Sequence, residues 1–114
     1  MDNAIYTKSF DFSVRIVNLC KHLQSKQKER ILSNQILRSG TSIGANVAEA
    51  QQAQSKADFI SKLNIALKEA AEMDYWLRLL HATEYINDAQ FHSIISDCDE
   101  LESLLVAIVK ASKK

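Results

Sequence analysis

No proline interrupts this chain anywhere in its 114 residues, and glycine occurs only at positions 40 and 44. That absence constrains the fold more than any other feature. Sandwiches and barrels need Gly, Pro or Asn punctuation every strand or two, whereas helices tolerate long stretches without either residue. Apolar residues make up 46% of the chain and charged residues 25%, a globular rather than a disordered balance. The length fits a single domain, residues 1–114, that can bury a core without a metal or disulfide staple.

Apolar periodicity divides the chain into four predicted helices, at about 7–24, 29–52, 56–82 and 88–112. In the first, Phe12, Ile16, Leu19 and Leu23 recur at helical spacing, with Phe10, Val17 and Cys20 widening the face. The second carries Leu32, Ile36, Gly40, Ile43, Val47 and Ala50 along one side, and between Ile31 and Gln54 only Arg38 and Glu49 are charged. A helix that poor in charge is covered on more than one side. The third alternates spacings of four and three through Phe59, Leu63, Ala66, Ala70, Met73, Leu77 and Leu80, which suits antiparallel packing near 20°. Ser55 with Asp58 has the form of a capping box, and so does Asn87 with Gln90, where Ile86 and Phe91 supply a hydrophobic staple. The fourth helix turns Phe91, Ile94, Ile95, Cys98, Leu101, Leu105 and Ile108 inward and ends on Lys110, Lys113 and Lys114, favourable at a helix C-terminus. Short connections between long helices give an all-α, antiparallel up-down-up-down four-helix bundle.

The charges cancel, 14 basic against 14 acidic, which argues against a surface that grips a polyanion everywhere. They are unevenly placed. Residues 1–60 hold eight Lys/Arg and five Asp/Glu, and residues 61–114 hold six and nine. The first residues lack an apolar core of secretory type, and no stretch nears the ~20 apolar residues of a membrane span. Cys20 and Cys98 sit in apolar stripes without CxxC spacing, as buried thiols in a reducing compartment do. A cytoplasmic protein without membrane partners is expected.

Catalytic constellations find little support. Gly40-Thr41-Ser42-Ile43-Gly44 matches G-x-S-x-G, but a nucleophile elbow needs a strand-to-helix turn above a parallel sheet, and no Lys-Ser or Lys-Thr follows to make a P-loop. A steric reading fits better. Gly40, Gly44 and Ala48, extended by Thr41, form a ridge almost without side chains, suited to close approach by another helix of the same chain or of another subunit. The di-iron pattern Glu-x-x-His fails at His22, His81 and His92, which follow Leu19, Arg78 and Ala89 by three. No acid or nucleophile lies beside any histidine in a catalytic pattern. No catalytic residue, cofactor or metal ligand is therefore assigned, and an enzyme is not expected. Glu69 and Asp74 project into the apolar arc of the third helix, where a carboxylate needs a partner. Arg38, Glu49, Glu69, Asp74 and Arg78 are assigned to structural ion pairs, with Asp74–Arg78 in the favourable i,i+4 order. Asp97, Asp99, Glu100 and Glu102 lack the glycine and spacing of a calcium loop and read as a solvated face.

The one plausible polyanion footprint is Lys21, Lys26, Lys28 and Arg30, around the first connection. Four cations over ten residues can contact a few phosphates with salt-dependent affinity. No aromatic residue lies beside them in sequence, so base-specific readout is not expected.

The segments Asn34-Gln35-Ile36-Leu37-Arg38-Ser39-Gly40-Thr41-Ser42-Ile43-Gly44-Ala45-Asn46-Val47-Ala48-Glu49-Ala50 and Ser55 to Ala70, followed by Tyr75-Trp76-Leu77-Arg78-Leu79-Leu80, resemble the signature of a bacterial four-helix-bundle family. That family is named for proteins encoded within 23S rRNA intervening sequences and is also labelled S23 ribosomal protein. The resemblance implies a left-turning bundle that assembles as a ring-shaped homopentamer, and it carries over no catalytic residues. It also implies a distant relation to the accessory protein of diversity-generating retroelements, a basic pentameric barrel that binds a reverse transcriptase and nucleic acid. The expected function is a non-enzymatic homo-oligomeric scaffold or adaptor that binds RNA or an RNA-handling protein. The alternative is a protein-interaction module without nucleic-acid contact.

Overall fold

A computed structural model describes residues 3–113 and shows four helices: α1 (Asn3–Ser25), α2 (Ile31–Ala50), α3 (Lys56–Ala82) and α4 (Asp88–Ser112). Lys114, placed by the sequence at the end of the last helix, lies outside the described residues. The three connections, 26–30, 51–55 and 83–87, are five residues each, too short for anything but a reversal between neighbours. The result is an antiparallel four-helix bundle, 45 × 21 × 19 Å overall. α2 packs between α1 and α3, and α4 packs mainly on α3, with a looser approach to α1 that closes the bundle.

The helix ends follow local chemistry. Asn87 Oδ1 accepts from Gln90 N while Gln90 Oε1 accepts from Asn87 N, both at 2.8 Å. Ser55 Oγ accepts from Asp58 N at 3.0 Å, but the Asp58 carboxylate reaches one residue further back than a capping box requires, to Gln54 N. α2 starts two residues later than the periodicity suggests because Glu29, one residue before the N-cap Arg30, reaches over its first turn. Its carboxylate accepts from the backbone N–H groups of Ile31, Leu32 and Ser33 at 2.9–3.1 Å, meeting three of the four free donors of the first turn with a favourable charge. α1 starts earlier than periodicity suggests, and the extra turn buries Ile5.

The core runs the length of the bundle. Phe12, Ile16 and Leu23 of α1, Ile36, Ile43 and Val47 of α2, Leu63, Met73 and Leu77 of α3, and Leu101 and Leu105 of α4 are all buried. Three expectations are corrected. Phe10 is 57% exposed rather than part of the core, and Tyr6 and Val14 share its outward face of α1. Val109, not Ile108, is the last fully buried residue of α4. Ser33 and Ser39, absent from the predicted stripe, are buried in α2. None of the helices is long and apolar enough to cross a membrane among the described residues.

Candidate nucleic-acid interface

The basic group sits where the first connection leaves α1. Lys21, Lys26, Lys28 and Arg30 are all exposed, and none of them enters a salt bridge among the described residues. Lys28 takes a positive φ of 57°, the left-handed turn that redirects the chain into α2. Glu29, the one acid in the connection, is turned inward onto the α2 amides. The outward surface of the first connection is therefore cationic although the whole chain is neutral.

The glycine ridge has a partner within the chain, α1. A Cβ on Gly40 would stand 2.7 and 2.8 Å from Ile16 Cγ2 and Cγ1, and one on Gly44 would stand 3.1 Å from Ser13 Oγ and 3.2 Å from the Ser9 carbonyl oxygen. Thr41 and Ala48 flank this line at half-buried positions, and Thr41 Oγ1 donates to the Leu37 carbonyl at 2.7 Å. Ser42, the serine of the G-x-S-x-G match, donates to the Arg38 carbonyl at 2.7 Å, tied to its own helix. The same seam carries polar stitches near the connection. Cys20 Sγ donates to the Ser33 carbonyl at 3.3 Å, and Gln24 Nε2 donates to Ser33 Oγ at 3.0 Å.

Arg38 reaches α3. Its guanidinium pairs with Glu69 at 3.2 Å and with Glu72, and Glu72 also accepts from Ser39 Oγ and, at 3.0 Å, from Trp76 Nε1. The bonds from Ser39 and Trp76, with the charge of Arg38, hold the Glu72 carboxyl below its usual range. Sequence reasoning placed Arg38 and Glu69 in ion pairs but missed Glu72, whose signal was Trp76 four residues on. Glu49 is corrected: it is exposed at the end of α2 and belongs to no ion pair among the described residues. Asp74 accepts from Arg78 Nε at 2.6 Å.

The acidic face of α4 divides between two neighbours. Asp97 pairs with Arg15 at 2.6 Å and Glu100 with Lys8 at 3.2 Å, both on α1. Asp99 and Glu102 turn toward Asp74 of α3, and the three offer carboxylate oxygens within 4.8 Å of one another. A divalent cation could be held by such a set, with Arg78 already competing for Asp74. Desolvation, followed by the proximity of Asp74, raises the carboxyls of both Asp99 and Glu102. Neither thiol is poised as a thiolate. Burial, with Glu29 secondarily, pushes Cys20 up to about 11, and burial pushes Cys98 higher still. His81 stacks flat on Phe91 with centroids 4.3 Å apart and bonds Asp88 at 2.6 Å, joining the end of α3 to the start of α4.

A groove of about 550 Å³ opens between α1 and α4 at the end of the bundle that carries the basic connection. Leu19, Ile86, Ala89 and Ile94 supply its apolar lining, and Asn18, His22, Gln90 and Ser93 its polar lining. Arg15 closes one end, its guanidinium held by Asp97 and by the Ser93 carbonyl and hydroxyl at 2.6–3.3 Å.

Comparison with known proteins adds family information. A family model described as 23S rRNA-intervening sequence protein matches residues 1–107. A crystal structure from Bacteroides thetaiotaomicron, described as a protein with unknown function from the S23 ribosomal protein family, superposes with a TM-score of 0.93. Its sequence is 61% identical, over 95% of this chain and 96% of that one. No curated protein matches.

Proposed function

The chain belongs to the 23S rRNA-intervening sequence protein family, and from that premise we propose that it is a non-enzymatic, homo-oligomeric scaffold that binds RNA through its first connection. The observation that carries the reading is the cluster of Lys21, Lys26, Lys28 and Arg30, exposed and in no salt bridge among the described residues, at one end of a neutral molecule. Cations held away from carboxylates neutralise phosphates by releasing counterions, which gives affinity that falls with salt. Oligomer formation is supported by a second observation. Tyr6, Phe10 and Val14, spaced by four on α1, are 40%, 57% and 46% exposed, and an apolar strip of this kind marks a contact surface. The same strip favours the alternative, a protein-interaction module, if RNA plays no part.

The test is a fluorescence-anisotropy titration of nuclease-treated protein against structured RNA at low and physiological salt, with the oligomer mass measured by light scattering. Binding in the micromolar range or tighter is expected. Reversing Lys26, Lys28 and Arg30 to Glu should weaken it by tenfold or more and flatten the salt slope by about one unit per lost phosphate contact. Unchanged affinity on charge reversal would remove this footprint. A stoichiometric protein partner that copurifies after nuclease treatment would favour the alternative.

A further inference from the structure

We propose that the groove between α1 and α4 receives an unstacked nucleobase of the RNA whose phosphates lie along the basic connection. This inference rests on the RNA reading above and names how that RNA is gripped. The first and third connections of an up-down-up-down bundle lie at the same end, so His22, three residues before α1 ends, and Ile86, in the third connection, place the groove beside Lys26 and Lys28. A strand that follows those cations passes its mouth.

The chemistry of the walls fits a neutral flat ring. None of the lining residues bears a carboxylate, and the one permanent cation, Arg15, is compensated by Asp97. Leu19, Ile86, Ala89 and Ile94 make the lining largely apolar, and His22 contributes a ring for stacking. Asn18 and Gln90, both exposed, also line it. The Gln90 carbonyl oxygen is engaged by the Asn87 amide, which leaves its NH2 to donate to a base edge. The volume of about 550 Å³ falls within the roughly 300–1,000 Å³ of small-ligand sites. Phosphates would then be held by the charged connection and the base by the uncharged groove, the usual division between positioning and recognition. His22 lies beside Lys21 in the chain, but the α4 side of the groove, from Ile86 to Ile94, lies more than 60 positions further on, so no local pattern marks the site.

The closing experiment uses the full chain and two fluorescein-labelled 12-nucleotide single-stranded RNA probes, one normal and one with an abasic ribose backbone. Ala89→Phe fills the groove from an exposed position of α4, and Asn18→Phe fills it from α1, each checked for folding by circular dichroism. The expected result is a loss of about tenfold in affinity for the normal RNA with the salt slope unchanged, and no loss for the abasic strand. Both filled variants binding the normal RNA as tightly as the unaltered protein would overturn the groove assignment. If Lys26→Glu with Lys28→Glu still abolished binding, the RNA reading would survive that failure. No binding of either strand by the unaltered protein would overturn both. A change in oligomer mass in the filled variants, with RNA affinity intact, would assign the groove to a second copy of the chain instead.

Discussion

α1 has two neighbours, and it meets them in different ways. Against α2 it lies close, because the Ile16 side chain fills the space that Gly40 leaves and the Ser9 backbone comes up to Gly44. Against α4 it is held at arm's length by Lys8–Glu100 and by Arg15 with Asp97 and Ser93, and beyond Arg15 the two helices part around the groove. The first seam joins helices connected by five residues, the second joins the two ends of the fold. Packing energy concentrates in the first, whereas exposed ion pairs of the kind that close the second contribute about 0–1 kcal/mol each. A bundle can spare its closing seam for binding when the other three seams hold the core.

The contrast is tested most strongly by truncating two residues one turn apart on α1. Ile16→Ala, at the close seam, should cost about 2–5 kcal/mol in urea or thermal unfolding. Leu19→Ala, half-buried on the groove, should cost about half as much, and equal losses would mean that the two seams carry equal packing. Next comes the glycine pair. Gly40→Ala gains about 1 kcal/mol of helix propensity but forces a Cβ into Ile16 at 2.7 Å, an overpacking cost of about 1–3 kcal/mol. A net loss of about 1 kcal/mol is expected, and it should vanish in the Ile16→Ala background in a double-mutant cycle. Gly44→Ala, with contacts of 3.1–3.2 Å, should be near neutral.

A smaller effect separates the carboxylates on the two sides of α3. The folded Glu72 carboxyl lies below its usual value, so its contribution is fully present above the unfolded value of about 4.3 and is lost as pH falls through the folded value. Asp99 and Glu102 are raised, so they work against stability above their folded values and cease to do so as they take up protons below them. Glu72→Gln should lower the unfolding free energy from urea titration at pH 7 by about 1 kcal/mol for its charge-assisted bonds, with the difference shrinking toward pH 3. Asp99→Asn should raise the midpoint slightly at pH 7 by removing like charge. Both variants moving the same way would contradict this division. The smallest effect is expected from Arg15→Ala, under about 1 kcal/mol and diminished in high salt, measured by the same unfolding titration.

Much of the bundle was legible in the chain. The third and fourth helices end where their periodicity and caps place them, at Lys56–Ala82 and Asp88–Ser112, because a helix end is decided by residues within four positions of it. The Asn87–Gln90 box is local in the same sense. Where a longer reach was needed, the sequence fell short. Glu29 reads as the first residue of a helix and in fact precedes its N-cap, because a glutamate can reach over the first turn from outside it. Phe10 reads as core and lies outside, because the apolar arc of α1 is wider than the surface its neighbours cover.

By itself the sequence determined that four helices form, which residues cap α3 and α4 and most of the stripe that each helix turns inward, since all of these depend on side chains a few positions apart repeating at 3.6 residues per turn. Only the tertiary structure decided that the glycine ridge is met by Ile16 and Ser13, and that Arg38 shares Glu69 and Glu72 while Glu49 pairs with none of the described residues. It also decided that Leu19 of α1 and Ile94 of α4 line one groove. These are pairings between residues distant in the chain, set by how helices rotate and lean to fill one shared core, and no local period encodes that choice.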